Sequence, residues 1–79
     1  MSKPGPMHRR ALEALRDGPY SGVGFKPTFI GRGVISIQWR LMAGLVDRGW
    51  ARVVCESRDR WIATITDEGR KAIAEELAA

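Results

Sequence analysis

Apolar and polar positions alternate with two different periods along this chain, and the change of period divides it into elements. Over residues 35–48, Ile35, Gln38, Leu41, Met42, Leu45 and Val46 recur on one side of a helix at about 100° per residue, with Ser36, Arg40, Gly44 and Asp47 opposite. Gly49 follows as a natural helix stop. The period then drops to two. Ala51, Val53 and Cys55 alternate with Trp50, Arg52, Val54 and Glu56, and Trp61, Ala63 and Ile65 share one face of Arg60 to Ile65. Ser57-Arg58-Asp59 is the turn between two strands. Thr66 is placed to cap a last helix from Asp67 to about Ala78, with Asp67 and Glu68 in the first turn where the helix dipole favours anions. Ile73 and Leu77 give that helix a narrow apolar stripe.

Upstream the pattern is plainer. Pro6 suits the first position of a helix running from Met7 to Asp17, whose face carries Met7, Ala11, Ala14 and Leu15, with Leu12 at its edge. Gly18-Pro19 ends it. Residues 18–34 hold five glycines (18, 22, 24, 31, 33) and two prolines (19, 27), which excludes a long helix. Thr28 can cap a single helical turn through Phe29 and Ile30. A short third strand within 18–30 also fits. Phe25, Phe29 and Ile30 are the expected anchors of this stretch to the core. Residues 1–6 then form a lead-in, and 7–79 a single domain.

Composition narrows the function. Seventy-nine residues make one small domain. One cysteine excludes an intrachain disulfide, and with His8 the only histidine a zinc site within one chain is not expected. Cys55 alternates with core positions and is expected as a small buried hydrophobe. No apolar run approaches the roughly 20 residues of a bilayer span, and the N-terminus has no apolar signal core, so a cytoplasmic protein with no membrane partner is expected. The net charge is +4 and ten of the 13 cations are Arg. Residues 1–60 carry eleven basic and five acidic side chains, a balance of +6, whereas residues 61–79 carry two and four, a balance of −2. An arginine-rich body suits a polyanionic partner. No acid–base pair, nucleophile constellation or phosphate loop has its required context, so neither enzyme activity nor a cofactor is expected.

Leu45-Val46-Asp47-Arg48-Gly49-Trp50, then Arg58-Asp59-Arg60, then Ile65-Thr66-Asp67-Glu68-Gly69-Arg70 resemble the second half of a winged helix-turn-helix regulator of the MarR or PadR type. The resemblance covers about residues 34–71. It implies an α+β winged helix-turn-helix with about three helices and a two- or three-stranded β-wing. It further implies a small transcriptional regulator, with helix 35–48 in the major groove of double-stranded DNA and the wing, residues 50–65, on flanking backbone. Such domains also have a helix of about eight residues before the reading helix. Here that slot holds the glycine-rich stretch, leaving either one turn near 27–31 or a degenerate motif.

The candidate contacts follow from chemistry and position. Arg40 lies on the solvent face of the reading helix, and Arg is the commonest partner of guanine edges. Ser36 is expected at the N-terminus of that helix, where free N–H groups assist phosphate binding. Arg32 precedes it, between glycines that let backbone approach a phosphate. Arg58 and Arg60 bracket the wing tip. Gln38 is assigned to the buried side, and Trp39 to the core rather than to a stacking platform. A homodimer on a two-fold site is compatible with so small a module. The alternative is a protein-docking domain, which exposed aromatics and ion-paired Arg40 and Arg58 would mark. Single-strand or RNA binding would call for exposed Trp39 or Trp61.

Overall fold

A computed structural model describes residues 5–32 and 35–78, with side chains to 75. The elements run α1 (Pro6–Arg16), β1 (Tyr20–Val23), α2 (Trp39–Asp47), β2 (Ala51–Cys55), β3 (Arg60–Ile65) and α3 (Asp67–Ala78). The three strands form an antiparallel sheet in the order β1-β3-β2. This is a small α+β arrangement of three helices on one sheet. Leads 1–4 of the N-terminal segment lie outside the described residues. Gly5 is the N-cap of α1 and Pro6 its first residue.

The core forms where the helices meet one face of the sheet. Ala11, Leu12, Ala14 and Leu15 of α1, Tyr20 of β1, Met42 and Leu45 of α2, Ala63 of β3 and Ile73 of α3 are buried together with Phe29 and Ile37. Met7, expected on the same face of α1, is exposed. It sits in the first turn, beyond the reach of the sheet. The expected apolar partner of Ile73, Leu77, lies outside the described side chains.

The turn after α2 explains half of the sequence motif. Trp50 N–H donates to Leu45 O and Gly49 N–H to Val46 O, both at 2.9 Å, with Gly49 at φ 77°. That is the double-bonded helix ending that satisfies the last free carbonyls. The start of α3 explains the other half. Thr66 Oγ1 accepts from Gly69 N–H (3.1 Å) and donates to Gly49 O (2.6 Å), while Thr66 N–H donates to Trp50 O (3.0 Å). Gly69 lies directly against that same Trp50 carbonyl. The Asp-Arg-Gly-Trp and Thr-x-x-Gly signatures are therefore two sides of one joint between α2, β2 and α3.

Four expectations need correction. First, the helix placed at 35–48 begins only at Trp39. Ile37 exchanges both backbone bonds with Phe29 (2.7 and 2.9 Å), and Gln38 has ψ 154°, so the chain stays extended to that point. Tertiary pairing overrides the apolar periodicity. Second, no helical turn follows Thr28. Phe29 and Ile30 are extended, and Ile30 exchanges both bonds with Ser21 at 2.8 Å. A fully hydrogen-bonded extended pair removes the reason for a helix. Third, of the three expected anchors only Phe29 is buried; Phe25 is 90% exposed and Ile30 64%. Fourth, Cys55 is exposed. It does share the inward face with Ala51 and Val53, but lies at the far end of β2, where the hairpin runs past the core. The expected third strand within 18–30 is present as β1.

Candidate nucleic-acid interface

The segment before α2 and the first turn of α1 enclose an open cleft of about 390 Å³. Met7 and His8 of α1, Ser36 and Gln38 of the extended segment, and Arg40 and Leu41 of α2 line it. Its geometry follows from the Phe29–Ile37 pairing. With Ile37 turned into the core, strand alternation turns Ser36 and Gln38 the other way, and both are exposed. Gln38 is the N-cap of α2 but makes no side-chain capping bond. The first N–H groups of α2 are thus left for water or a ligand. Arg40, one residue into the helix, is exposed beside them.

Ser36 and Arg40 are the two expected contacts that the fold brings together. Ser36 stands before the helix rather than at its N-terminus, a correction that follows from the later helix start. Arg32 is exposed in the connection leading to Ser36, whose next residues, Gly33 and Val34, lie outside the described chain. Gly31, expected to admit a phosphate, packs instead against the Tyr20 ring. Arg58 is exposed in the hairpin turn. Arg60 is exposed opposite Val23, on the sheet face turned away from the helices. It therefore does not share a surface with the cleft. Among the described residues none of Arg32, Arg40, Arg58 and Arg60 forms an ion pair; the pairs found are Arg9–Glu13 and Arg70–Asp67, both on helix surfaces.

Sequence reasoning missed two polar members of the cleft, His8 and Gln38. Gln38, assigned to the buried side, is exposed because the chain is still extended there and Ile37 takes the inward position. The signal for Gln38 was the strict alternation Ile35-Ser36-Ile37-Gln38, a strand period inside a segment read at helical period. His8 carried no signal, because it is placed by the packing of α1 on α2. Its ring meets Trp50 edge-on at 6.1 Å and lies close against Gly44. Arg48 reaches over the same Trp50 ring and donates to Gly44 O at 3.1 Å. Burial, and then the Arg48 charge, lower the His8 pKa below its usual 6.5. The folded state thus binds fewer protons than the unfolded one as pH falls through 6.5, and folding loses stability there until the folded-state value is passed. Denaturant midpoints at neutral and mildly acidic pH should diverge less in His8→Gln than in the parent.

The three tryptophans have structural roles. Trp39 stacks on Phe29 at 6.1 Å and meets Trp61 edge-on at 6.0 Å, Trp61 Nε1 donates to Gly24 O, and Trp50 is buried. Among the described residues no group of three His, Cys, Asp or Glu is placed to hold a metal ion. No helix there is long and apolar enough to cross a membrane. Compared with known proteins, the chain matches no family model, no curated protein and no solved structure.

Proposed function

We propose that this chain is a nucleic-acid-binding winged-helix protein of the cytoplasm, a small regulator of transcription rather than an enzyme. α2 enters the major groove of double-stranded DNA, and the β2–β3 turn lies on flanking backbone. The observation that carries this reading is Arg40, exposed and without an ion pair among the described residues, at the uncapped end of α2 beside Ser36 and Gln38. The order helix, strand, helix, hairpin, helix and the strand order β1-β3-β2 support the fold assignment. The extended segment 35–38 takes the place of a preceding helix in positioning α2. Its polar side chains add phosphate contacts at the groove edge.

The packing of all three tryptophans argues against a stacking platform for single strands. A protein-docking role draws support from Phe25, which projects almost wholly into solvent beside Lys26.

Titration of random-sequence duplex DNA at two salt concentrations tests the proposal. Arg40→Ala should weaken binding by about tenfold or more, since a good arginine contact is worth roughly 1–3 kcal/mol. Arg58→Ala should lower the salt slope by about one phosphate contact. Arg60→Ala should have little effect, because its side chain lies on the far face of the sheet. Absence of duplex binding at low salt, or equal losses from Arg40 and Arg60, would reject this arrangement.

A further inference from the structure

The two edges of the sheet differ. At the β1 edge, Ser21 and Ile30 exchange both backbone bonds, so that edge is covered at Ser21. β2 forms the other edge, and no described segment pairs with its outer side. Glu56 N–H donates to Arg60 O at 2.8 Å, and Thr66 N–H donates to Trp50 O at 3.0 Å. With the register Arg52–Thr64 and Val54–Ile62, these bonds fix the phase of the ladder. The backbone groups of Arg52, Val54 and Glu56 face β3. Those of Ala51, Val53 and Cys55 face outward from the sheet.

The side chains along this edge have an order that complements itself. Arg52, Val54 and Glu56 all project from the sheet face opposite the helices, and all three are exposed, Val54 by 53%. Along the strand they read cation, apolar, anion. An antiparallel copy centred on Val54 sets Arg52 opposite Glu56 of the partner subunit, and Val54 opposite Val54 of the partner subunit. These are non-hydrogen-bonded pairs, in which side chains lie closest. In the same register Val53 faces Cys55 of the partner subunit, and each such pair exchanges both backbone bonds. The outward-facing groups of Val53 and Cys55 are thereby satisfied. Other registers that preserve the hydrogen bonding lose the charge match. Centring on Val53 places Arg52 opposite Val54 of the partner subunit. Centring on Cys55 places it opposite Arg58 of the partner subunit.

We propose that β2 pairs antiparallel with β2 of a second copy of this chain, centred on Val54, to form one continuous two-fold sheet. Charge complementarity at both ends of the pairing selects a second copy as occupant. Val54 also lies beside Ile62 on that face, so the pairing brings the Val54–Ile62 pairs of the two copies together across the two-fold axis. The cleft residues take no part in this pairing, whereas the β2–β3 turn proposed to lie on DNA backbone adjoins it.

Sedimentation equilibrium of the full chain over a wide concentration range provides the test. The parent should dimerise. Arg52→Glu and Glu56→Arg should each weaken association by roughly tenfold or more by opposing like charges twice across the axis. The double variant should restore it. All of these positions are exposed, so folding is preserved. A parent that stays monomeric, single variants that associate normally, or a double variant as weak as the singles would overturn the proposal. A second measurement needs no charge change. Val54→Cys in a Cys55→Ser background should oxidise to a disulfide-linked dimer, because facing Cα atoms of such a pair lie ~4.5 Å apart, within disulfide reach. Failure to cross-link would likewise overturn it. Loss of DNA binding in Arg40→Ala with the dimer intact would separate the two conclusions.

Discussion

Phe29→Ala is expected to lower the unfolding free energy by about 3–5 kcal/mol, the usual loss for a fully buried phenyl ring. A domain of this size holds roughly 4–12 kcal/mol in all, so the variant should be close to unfolding at ambient temperature. Phe29 has no exposed surface, stacks on Trp39, and has its backbone bonded both ways to Ile37. Removing the ring leaves a cavity beneath α2 and frees the strand pair that turns Ser36 and Gln38 outward. Urea unfolding followed by circular dichroism measures the effect. Ile30→Ala is the control: its side chain is mostly exposed one residue away, and its loss should stay within about 0.5 kcal/mol. Comparable losses from the two would show that residues 29–30 do not anchor the segment as described.

Gly69→Ala should destabilise by about 2–4 kcal/mol, and its sign is the informative part. Helix propensity alone favours Ala over Gly by up to about 1 kcal/mol in a helix interior. Here the added methyl would meet the Trp50 carbonyl carbon at 3.0 Å and Ile65 Cγ1 at 2.9 Å, with the Trp50 carbonyl oxygen closer still. Two of those atoms are backbone and cannot rotate aside. The oxygen also accepts the Thr66 N–H that closes the joint. Moving α3 outward would loosen the Thr66 cap and the Ile73 contact together. At about 4–8 °C per kcal/mol for a domain of this size, Tm should fall by at least ~8 °C. A rise in Tm would mean that α3 is free to shift and that the glycine is not a packing requirement.

These two positions also show what kinds of information the chain carries. The Gly69 signature was visible in the sequence, but as part of a family-like motif rather than as a packing constraint. Its physical cause appeared only when Trp50 and α3 were seen in contact. Phe29 was legible as an anchor, whereas Phe25 and Ile30, equally apolar, were not distinguishable from it. Strand alternation sends Ile30 to the outer face, and Phe25 lies in the turn before the pair. The candidate contacts divided in the same way. Arg40 and Ser36 converge on one cleft, but Arg60 is carried to the other face by the parity of β3. The alternation of Trp61, Ala63 and Ile65 already set that parity; only the fold showed that the cleft lies on the opposite side from Arg60.

Local chemistry sufficed for α1, for the β2–β3 hairpin, for the Gly49 stop and for the Thr66 cap, because each depends on groups only a few residues apart. Residues 24–32 and 35–38 were left to the tertiary structure. Their course is set by Ser21 with Ile30, by Phe29 with Ile37, and by the Tyr20 hydroxyl donating to Ile35 O fifteen residues on. Those bonds satisfy backbone groups that a helix would otherwise have satisfied, so the same apolar spacing folded as an extended segment and shortened α2 from its N-terminal end.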